Sequence, residues 1–117
     1  DQEYPDITVN YPGLVSSPWH EIADKQFTKG YGGLFTLRLG SKERAFRFMN
    51  ALQIPYIVSN IGDTKTLVIH PASTIALHST PEEREAAGVF EDLVRVSVGI
   101  EDVEDLKEDV AQAIAKL

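Results

Sequence analysis

The chain has 117 residues, 43% of them hydrophobic, which suits one continuous core and is too short for two domains. Its formal net charge is −7 and no Lys/Arg cluster offsets it, which excludes a surface that tracks nucleic-acid phosphates. Cysteine is absent, which rules out disulfides and thiolate sites, and no apolar run approaches the roughly 20 residues that span a bilayer. We expect a cytoplasmic protein with no nucleic-acid or membrane partner.

The first half of the chain predicts an extended segment, two helices and a strand between them. The extended segment lies around residues 7–9, and Ser17-Pro18 predicts a helix N-terminus with a helix running to about Phe27. In LFTLRL, apolar residues alternate with Thr36 and Arg38, the pattern of a half-buried strand. Ser41 predicts the N-cap of a second helix, whose apolar stripe ends before Pro55.

The second half predicts a hairpin, two further helices and one more strand. Residues 56–59 and 66–70 are short apolar runs around the loop NIGDTK, which favours a β-hairpin. Thr80-Pro81-Glu82-Glu83 has the pattern of a capping box, with Gly88 as the stop. Three valines alternate with Arg95 and Ser97 in VRVSV, and a last amphipathic helix begins at Asp102.

This order of elements predicts an α/β (α+β) two-layer sandwich with a mainly antiparallel sheet of about four strands and helices on one face. The helices should cover the valine face. The opposite face is expected to be too polar for a second core, so that it faces solvent or another domain; it would carry Thr36, Arg38, Thr66, Arg95 and Ser97.

No catalytic constellation is complete within these residues, so we expect no catalytic, cofactor-binding or metal-binding residue in the chain. His20, His70 and His78 lack the spacing of metal ligands. The GYGG stretch precedes a strand rather than a helix, which indicates close backbone packing instead of a phosphate cradle. Lys65 belongs to a polar loop, where a lysine is solvated and protonated.

Arg95 has two interpretations. It could pair with one of the 18 acidic side chains, as most surface arginines of this kind do. Alternatively, it could be a planar two-pronged donor, held on a rigid strand to bind a carboxylate. The residue pattern by itself leaves both open.

Four segments resemble the carboxyl-terminal domain of the cystathionine gamma-synthase type of pyridoxal-phosphate enzymes of Cys/Met metabolism. They are VNYPGL, GYGGLF, SNIGDTKTLVIHPAST and AAGVFEDLVRVSVGIEDVEDL, and the resemblance covers almost the whole chain. NIGD before LVIHPAST is most similar to the O-acetylhomoserine sulfhydrylase branch of this family. Its reaction, a transfer in methionine biosynthesis, converts O-acetylhomoserine and sulfide or a thiol into homocysteine or methionine and acetate.

The resemblance implies that residues 1–117 are the small C-terminal domain of a fold-type-I enzyme, and a start at Asp1 instead of Met suggests a piece of a longer chain. The N-terminal domain that binds pyridoxal phosphate, including the Schiff-base lysine, would then lie upstream. We therefore expect this fragment to bind no cofactor and to be inactive. The intact enzyme would be a homotetramer.

The resemblance also implies a substrate site. The arginine of the LVRxSxGIE strand, Arg95 here, binds the α-carboxylate of the amino-acid substrate in this family. Asn60 would help to hold the same carboxylate, with Ser59 and Ile61 lining the approach. Ile75 departs from the family pattern HPASTTH, in which a threonine near the carboxylate takes its place.

Three alternatives stay open. The chain could be the same domain of a cystathionine gamma-synthase or of a methionine gamma-lyase. It could also be a non-enzymatic α/β binding module whose polar sheet face contacts a partner protein.

Overall fold

A five-stranded sheet forms the centre of the structure, a computed structural model that describes residues 2–117. The elements in chain order are β1 Thr8–Asn10, α1 His20–Gln26, β2 Leu34–Arg38, α2 Lys42–Ala51, β3 Tyr56–Ile57, β4 Leu67–Ile69, a 3₁₀ turn Pro71–Ser73, α3 Pro81–Ala86, β5 Leu93–Ser97 and α4 Val103–Ile114. The strand order is β1-β2-β5-β4-β3, and all neighbours are antiparallel except β3 and β4. No helix among the described residues is long and apolar enough to cross a membrane.

Helices α2 and α4 pack on one face of this sheet and enclose the core between the two layers. The core side chains of the sheet and the two helices are buried together; they include Leu37, Ala45, Phe48, Met49, Val68, Val94, Val96 and Ala113. The predicted α/β sandwich with a mostly antiparallel sheet is thus confirmed. The sheet has five strands instead of about four, because β1 pairs with β2 over its whole length.

A side chain caps the N-terminus of three of the four helices. The Ser41 hydroxyl accepts from the Arg44 N–H, and Thr80 and Glu83 form the reciprocal capping box. Asp102 caps α4 as predicted. Helix α1 begins two residues later than predicted, because Trp19 takes the N-cap position and Ser17 lies in the preceding turn.

The predicted hairpin is wrong, because β3 and β4 run parallel. Tyr56 pairs with Leu67 and Ile57 with Val68. Parallel neighbours need a connection that crosses back to the same end of the sheet, which a tight turn cannot supply. Residues 58–66 make that return and form a long loop, named here the 58–66 loop, beside the end of β5.

Strand register also corrects the composition of the outer face, the one that carries Arg95. Ser97 pairs with Leu67 and Arg95 pairs with Ile69, so these two apolar residues share the outer face. Both are buried, as is Leu93 on the same face. Thr66 was predicted there too, but it precedes Leu67 and lies on the helix side, where it is 2% exposed.

The glycines of GYGG were predicted to allow close backbone packing, but two of them instead allow a backbone conformation with positive φ. Gly30 and Gly32 have φ of 114° and 87°, a region that side chains disfavour. No atom lies within 4 Å of the Cβ that either residue would carry, and at Gly33 such an atom would make only an ordinary contact. The stretch therefore shapes the chain as it enters β2.

Candidate functional site

Arg95 lies in the middle of the sheet, on the outer face. Strand β5 has a neighbour on each side, and Arg95 pairs with Thr36 of β2 and Ile69 of β4. Its side chain is partly exposed and makes no hydrogen bond or ion pair with any residue in the described range 2–117. The other arginines are engaged by Asp92, Asp6, the Leu117 carbonyl and Glu91; they are Arg38, Arg44, Arg47 and Arg84. An internal ion pair, the first interpretation of Arg95, is therefore not formed among those residues.

A second arginine on the same face is held by its neighbours. The Arg38 Nε donates to the Asp92 carboxylate at 2.7 Å, and the Gly40 N–H donates to the other oxygen at 3.1 Å. The Arg38 guanidinium also lies 3.8 Å from the centre of the Phe90 ring. Arg38 is thus held by partners within this chain, whereas the Arg95 guanidinium has no partner among residues 2–117.

The 58–66 loop approaches the same face through Gly62 and Ser97. The Gly62 N–H donates to the Ser97 hydroxyl at 3.2 Å, and Ser97 is two residues beyond Arg95 on β5, roughly 7 Å along the strand. The predicted site residues Ser59, Asn60 and Ile61 lie in this loop.

All three predicted loop residues are exposed. The Asn60 side-chain oxygen accepts from the Ile61 N–H at 2.9 Å, which leaves the Asn60 amide nitrogen as a free donor among the described residues. Their neighbour Gly62 is the residue of this segment that bonds the Arg95 strand, through Ser97.

The far end of the loop is fastened to the chain that follows β5. The Thr66 N–H and hydroxyl both donate to the Glu101 carboxylate, at 2.7 and 2.6 Å, and the Gly99 N–H donates to the Thr66 hydroxyl. A Cβ on Gly99 would lie 2.5 Å from backbone atoms of Lys65 and Thr66, so only glycine fits this approach. The loop and the strand of Arg95 are thus joined by several contacts.

Glu101 is the titratable group of this junction. Burial raises the pKa of its carboxyl, but the hydrogen bonds from Thr66 and from the Glu101 backbone, together with the nearby Lys65 ammonium, outweigh burial, so that the pKa lies below its usual value. A depressed folded-state pKa stabilises the fold above the unfolded value of about 4.3, and this contribution is lost as the pH falls through the folded pKa.

Glu101→Gln should therefore destabilise residues 1–117 at pH 7 and have a smaller effect in acid. The difference in free energy of unfolding between wild type and variant should shrink as the pH falls from about 6 to below 4, because only the wild type has a carboxylate to lose. Urea denaturation at a series of pH values measures this. A difference that stays constant over that range would contradict the assignment.

The remaining candidate residues make contacts typical of structural side chains. The His20 ring bonds the Pro12 carbonyl, and buried His70 bonds Ser73 and the Glu91 carbonyl. Within residues 2–117 no three His, Asp or Glu side chains are grouped so that they could hold a metal ion. Lys65 lies 3.7 Å from the Glu101 carboxylate and 4.6 Å from the centre of the Tyr56 ring, both contacts that a cationic ammonium makes. Ile75 is 58% exposed.

Sequence reasoning placed Ser97 on the face of Arg95 but did not find its contact with Gly62, and it did not find Gly99 or Glu101 as parts of this region. Each acts on a residue about 35 positions away, so no local spacing indicates the contact. The one usable signal is the alternation in VRVSV, which puts Ser97 on the face of Arg95.

The family model for Cys/Met metabolism PLP-dependent enzymes matches residues 2–115. An O-acetyl-L-homoserine sulfhydrylase of Thermus thermophilus is 46% identical over 97% of this chain and 27% of its own length. An L-methionine gamma-lyase of Fusobacterium nucleatum subsp. polymorphum is 44% identical over 93% of this chain and 28% of its own length. The chain thus spans little more than a quarter of the curated relatives that it matches.

Solved structures share the fold at similar identity. A Campylobacter jejuni protein assigned as an O-acetylhomoserine (thiol)-lyase and solved with N′-pyridoxyl-lysine-5′-monophosphate is 38% identical, with a TM-score of 0.91 over 97% of this chain and 28% of that one. An O-acetylhomoserine sulfhydrylase of Wolinella succinogenes is also 38% identical, with a TM-score of 0.76 over 94% of this chain and 29% of that one.

Proposed function

Because the chain belongs to the Cys/Met metabolism PLP-dependent enzyme family, we propose that it is the substrate-carboxylate-binding C-terminal domain of an O-acetylhomoserine sulfhydrylase. The complete enzyme converts O-acetylhomoserine and sulfide or a thiol into homocysteine or methionine and acetate. The observation that supports this role is the Arg95 guanidinium, which has no partner among residues 2–117 although the chain carries 18 acidic side chains.

Arg95 binds the α-carboxylate of the substrate in this proposal. A guanidinium offers two parallel N–H donors to the two oxygens of a carboxylate, so the pair fixes orientation as well as position. Strand β5 holds the Arg95 backbone rigidly, because hydrogen-bonded neighbours flank it on both sides. Asn60 contributes its free amide donor, and Ser59 and Ile61 border the entry. The amino acid is thereby held at one angle while its side chain reacts.

The cofactor of the family is pyridoxal phosphate, which supplies the electron sink for removal of the γ-substituent. We assign its binding to the part of the enzyme outside this chain. Lys42, Lys65 and Lys107 each lie within 4 Å of a carboxylate, an arrangement that suits surface ammonium groups better than a lysine joined to a cofactor. This chain would then recognise the substrate without performing the chemistry.

The N-terminal domain of the same enzyme is the proposed partner. Exposed apolar side chains occur at β3, at the 58–66 loop and beyond the 3₁₀ turn; they are Tyr56, Ile57, Val58, Ile61, Ile75 and Leu77. Each is between 46% and 60% exposed, and contact with another domain would bury this apolar surface. A homotetramer in the cytoplasm completes the proposal.

Substrate choice separates this function from its alternatives, because relatives include an O-succinylhomoserine sulfhydrylase and L-methionine gamma-lyases. The full-length enzyme, loaded with pyridoxal phosphate and supplied with sulfide, should give a higher kcat/KM with O-acetylhomoserine than with O-succinylhomoserine. It should act on L-methionine more slowly still.

Product analysis for homocysteine and acetate measures this directly. Preference for O-succinylhomoserine or L-methionine would move the chain to another branch of the family. Absence of turnover with all three, in a preparation that shows the visible absorbance of bound pyridoxal phosphate, would contradict the proposed activity.

A further inference from the structure

We propose that Ser97 is a positioning residue for the substrate carboxylate, acting through the 58–66 loop. This inference rests on the proposed function, since it assigns the loop and Arg95 to one carboxylate site. In this proposal Ser97 touches neither substrate nor cofactor. It sets the distance between Arg95 and Asn60, which bind the carboxylate.

The loop has few attachments near its tip. At its start the Val58 N–H donates to the Val68 carbonyl, and at its end the Ile100 N–H donates to the Thr64 carbonyl. Between these points, residues 59–63 make one hydrogen bond to described residues outside the 58–66 loop, from the Gly62 N–H to the Ser97 hydroxyl. Ser97 therefore fixes the segment that holds Asn60.

The Ser97 hydroxyl is itself held in place. Ser97 is 4% exposed and pairs with Leu34 on one side and Leu67 on the other, in the middle of the sheet. A side chain on a paired central strand moves little, so the acceptor position is set by the same backbone that sets Arg95. Arg95 and Ser97 differ by two residues and project from the same face.

Gly62 makes this contact possible. Its φ of 69° turns the loop so that its N–H points back towards the sheet, a conformation that side chains disfavour. Asp63 then closes the turn, because its carboxylate accepts from the Lys65 N–H at 3.1 Å. The geometry thus directs one N–H of a short, tightly turned segment at one hydroxyl of the Arg95 strand.

The test compares two competitive inhibitors in the full-length enzyme. L-norvaline carries the α-carboxylate and no leaving group, and L-norvalinamide replaces that carboxylate by an amide. The inhibition constant of L-norvalinamide divided by that of L-norvaline measures carboxylate recognition separately from overall binding.

Ser97→Ala should lower this ratio about three- to tenfold, the worth of one hydrogen bond, with a smaller change in kcat. Ser97→Thr, which keeps the hydroxyl, should restore most of it. Ser41→Ala removes a hydroxyl of similar structural weight at the N-cap of α2 and should leave the ratio unchanged.

The outcomes separate this inference from the proposed function. If Arg95→Ala removes the discrimination and Ser97→Ala leaves it intact, Ser97 is not a positioning residue and the function stands. If Arg95→Ala also leaves the discrimination between L-norvaline and L-norvalinamide intact, Arg95 does not bind the carboxylate. The proposed roles of Arg95 and Ser97 are then both wrong. A loss in Ser97→Ala that Ser41→Ala reproduces would mean a general effect of stability, which also overturns the inference.

Discussion

Replacing Arg95 by alanine in the full-length enzyme is expected to lower kcat/KM for O-acetylhomoserine about ten- to a hundredfold, while stability changes little. A hydrogen bond to a charged group is worth roughly 1.5–3 kcal/mol, which corresponds to this range. Arg95 faces away from the core formed with Val94 and Val96, so its removal opens no cavity there. Steady-state kinetics and thermal unfolding of the same preparation measure both quantities.

Two further variants make this result specific. Arg95→Lys should recover only part of the activity, because an ammonium cannot reproduce the planar fork of a guanidinium. Arg47→Ala removes an exposed arginine of α2 that bonds the Leu117 carbonyl, and kcat/KM should stay near the wild-type value. Near-normal kcat/KM in Arg95→Ala, or unfolding of that variant, would identify Arg95 as a structural residue.

Asp109→Ala is expected to cause the largest loss of stability among single substitutions considered for this chain. The Asp109 carboxylate is buried in α4 and accepts from the backbone N–H groups of Gln53 and Ile54, at 3.0 and 2.8 Å. It also accepts from the Gln112 side chain at 2.9 Å. Alanine leaves these donors unsatisfied, which should cost about 3 kcal/mol in free energy of unfolding.

Urea denaturation of residues 1–117 measures this loss. Asp109→Asn keeps one acceptor oxygen and should lose less. Glu108→Ala changes an exposed neighbour on the same helix and should stay within about 0.5 kcal/mol of wild type. Equal stabilities of Asp109→Ala and Glu108→Ala would show that the carboxylate does not hold the chain after α2.

Local chemistry made the helices predictable from the sequence. Ser41, Thr80 and Asp102 each bond a backbone N–H within three residues, so their role can be read from neighbouring positions. The pairing of β3 with β4 could not be predicted in this way. Nothing in the residues around NIGDTK distinguishes a hairpin from a chain that returns and pairs in parallel.

The error at Thr66 has a similar origin. Leu67, Val68 and Ile69 are all apolar and all buried, so the run shows no alternation that would tell one face from the other. Only the pairing of Leu67 with Ser97 fixes the faces. In VRVSV the alternation is complete, and the side chosen for Arg95 from the sequence agrees with the register.

The candidate site residues could be named from the sequence and its family resemblance, whereas the contacts around them are visible only in the structure. The strand pattern left two interpretations of Arg95 open and the family resemblance favoured the ligand site, but the absence of an ion pair to Arg95 among residues 2–117 depends on where the acidic side chains lie in the fold. Asp92 forms an ion pair with Arg38, 54 residues away in the sequence, and Glu91 forms one with Arg84, 7 residues away. The Gly62 contact with Ser97 likewise joins segments that no local pattern connects.

A crystal structure of the full-length enzyme with L-norvaline bound would show directly which group Arg95 binds. Two Arg95 nitrogens are expected at about 2.7–2.9 Å from the two carboxylate oxygens of the amino acid, the spacing of a charge-assisted pair. The Ser59–Gly62 segment should lie against the same carboxylate. A structure in which Arg95 pairs with an acidic residue of the enzyme, while another cation binds the amino-acid carboxylate, would show that Arg95 is not the substrate-binding residue.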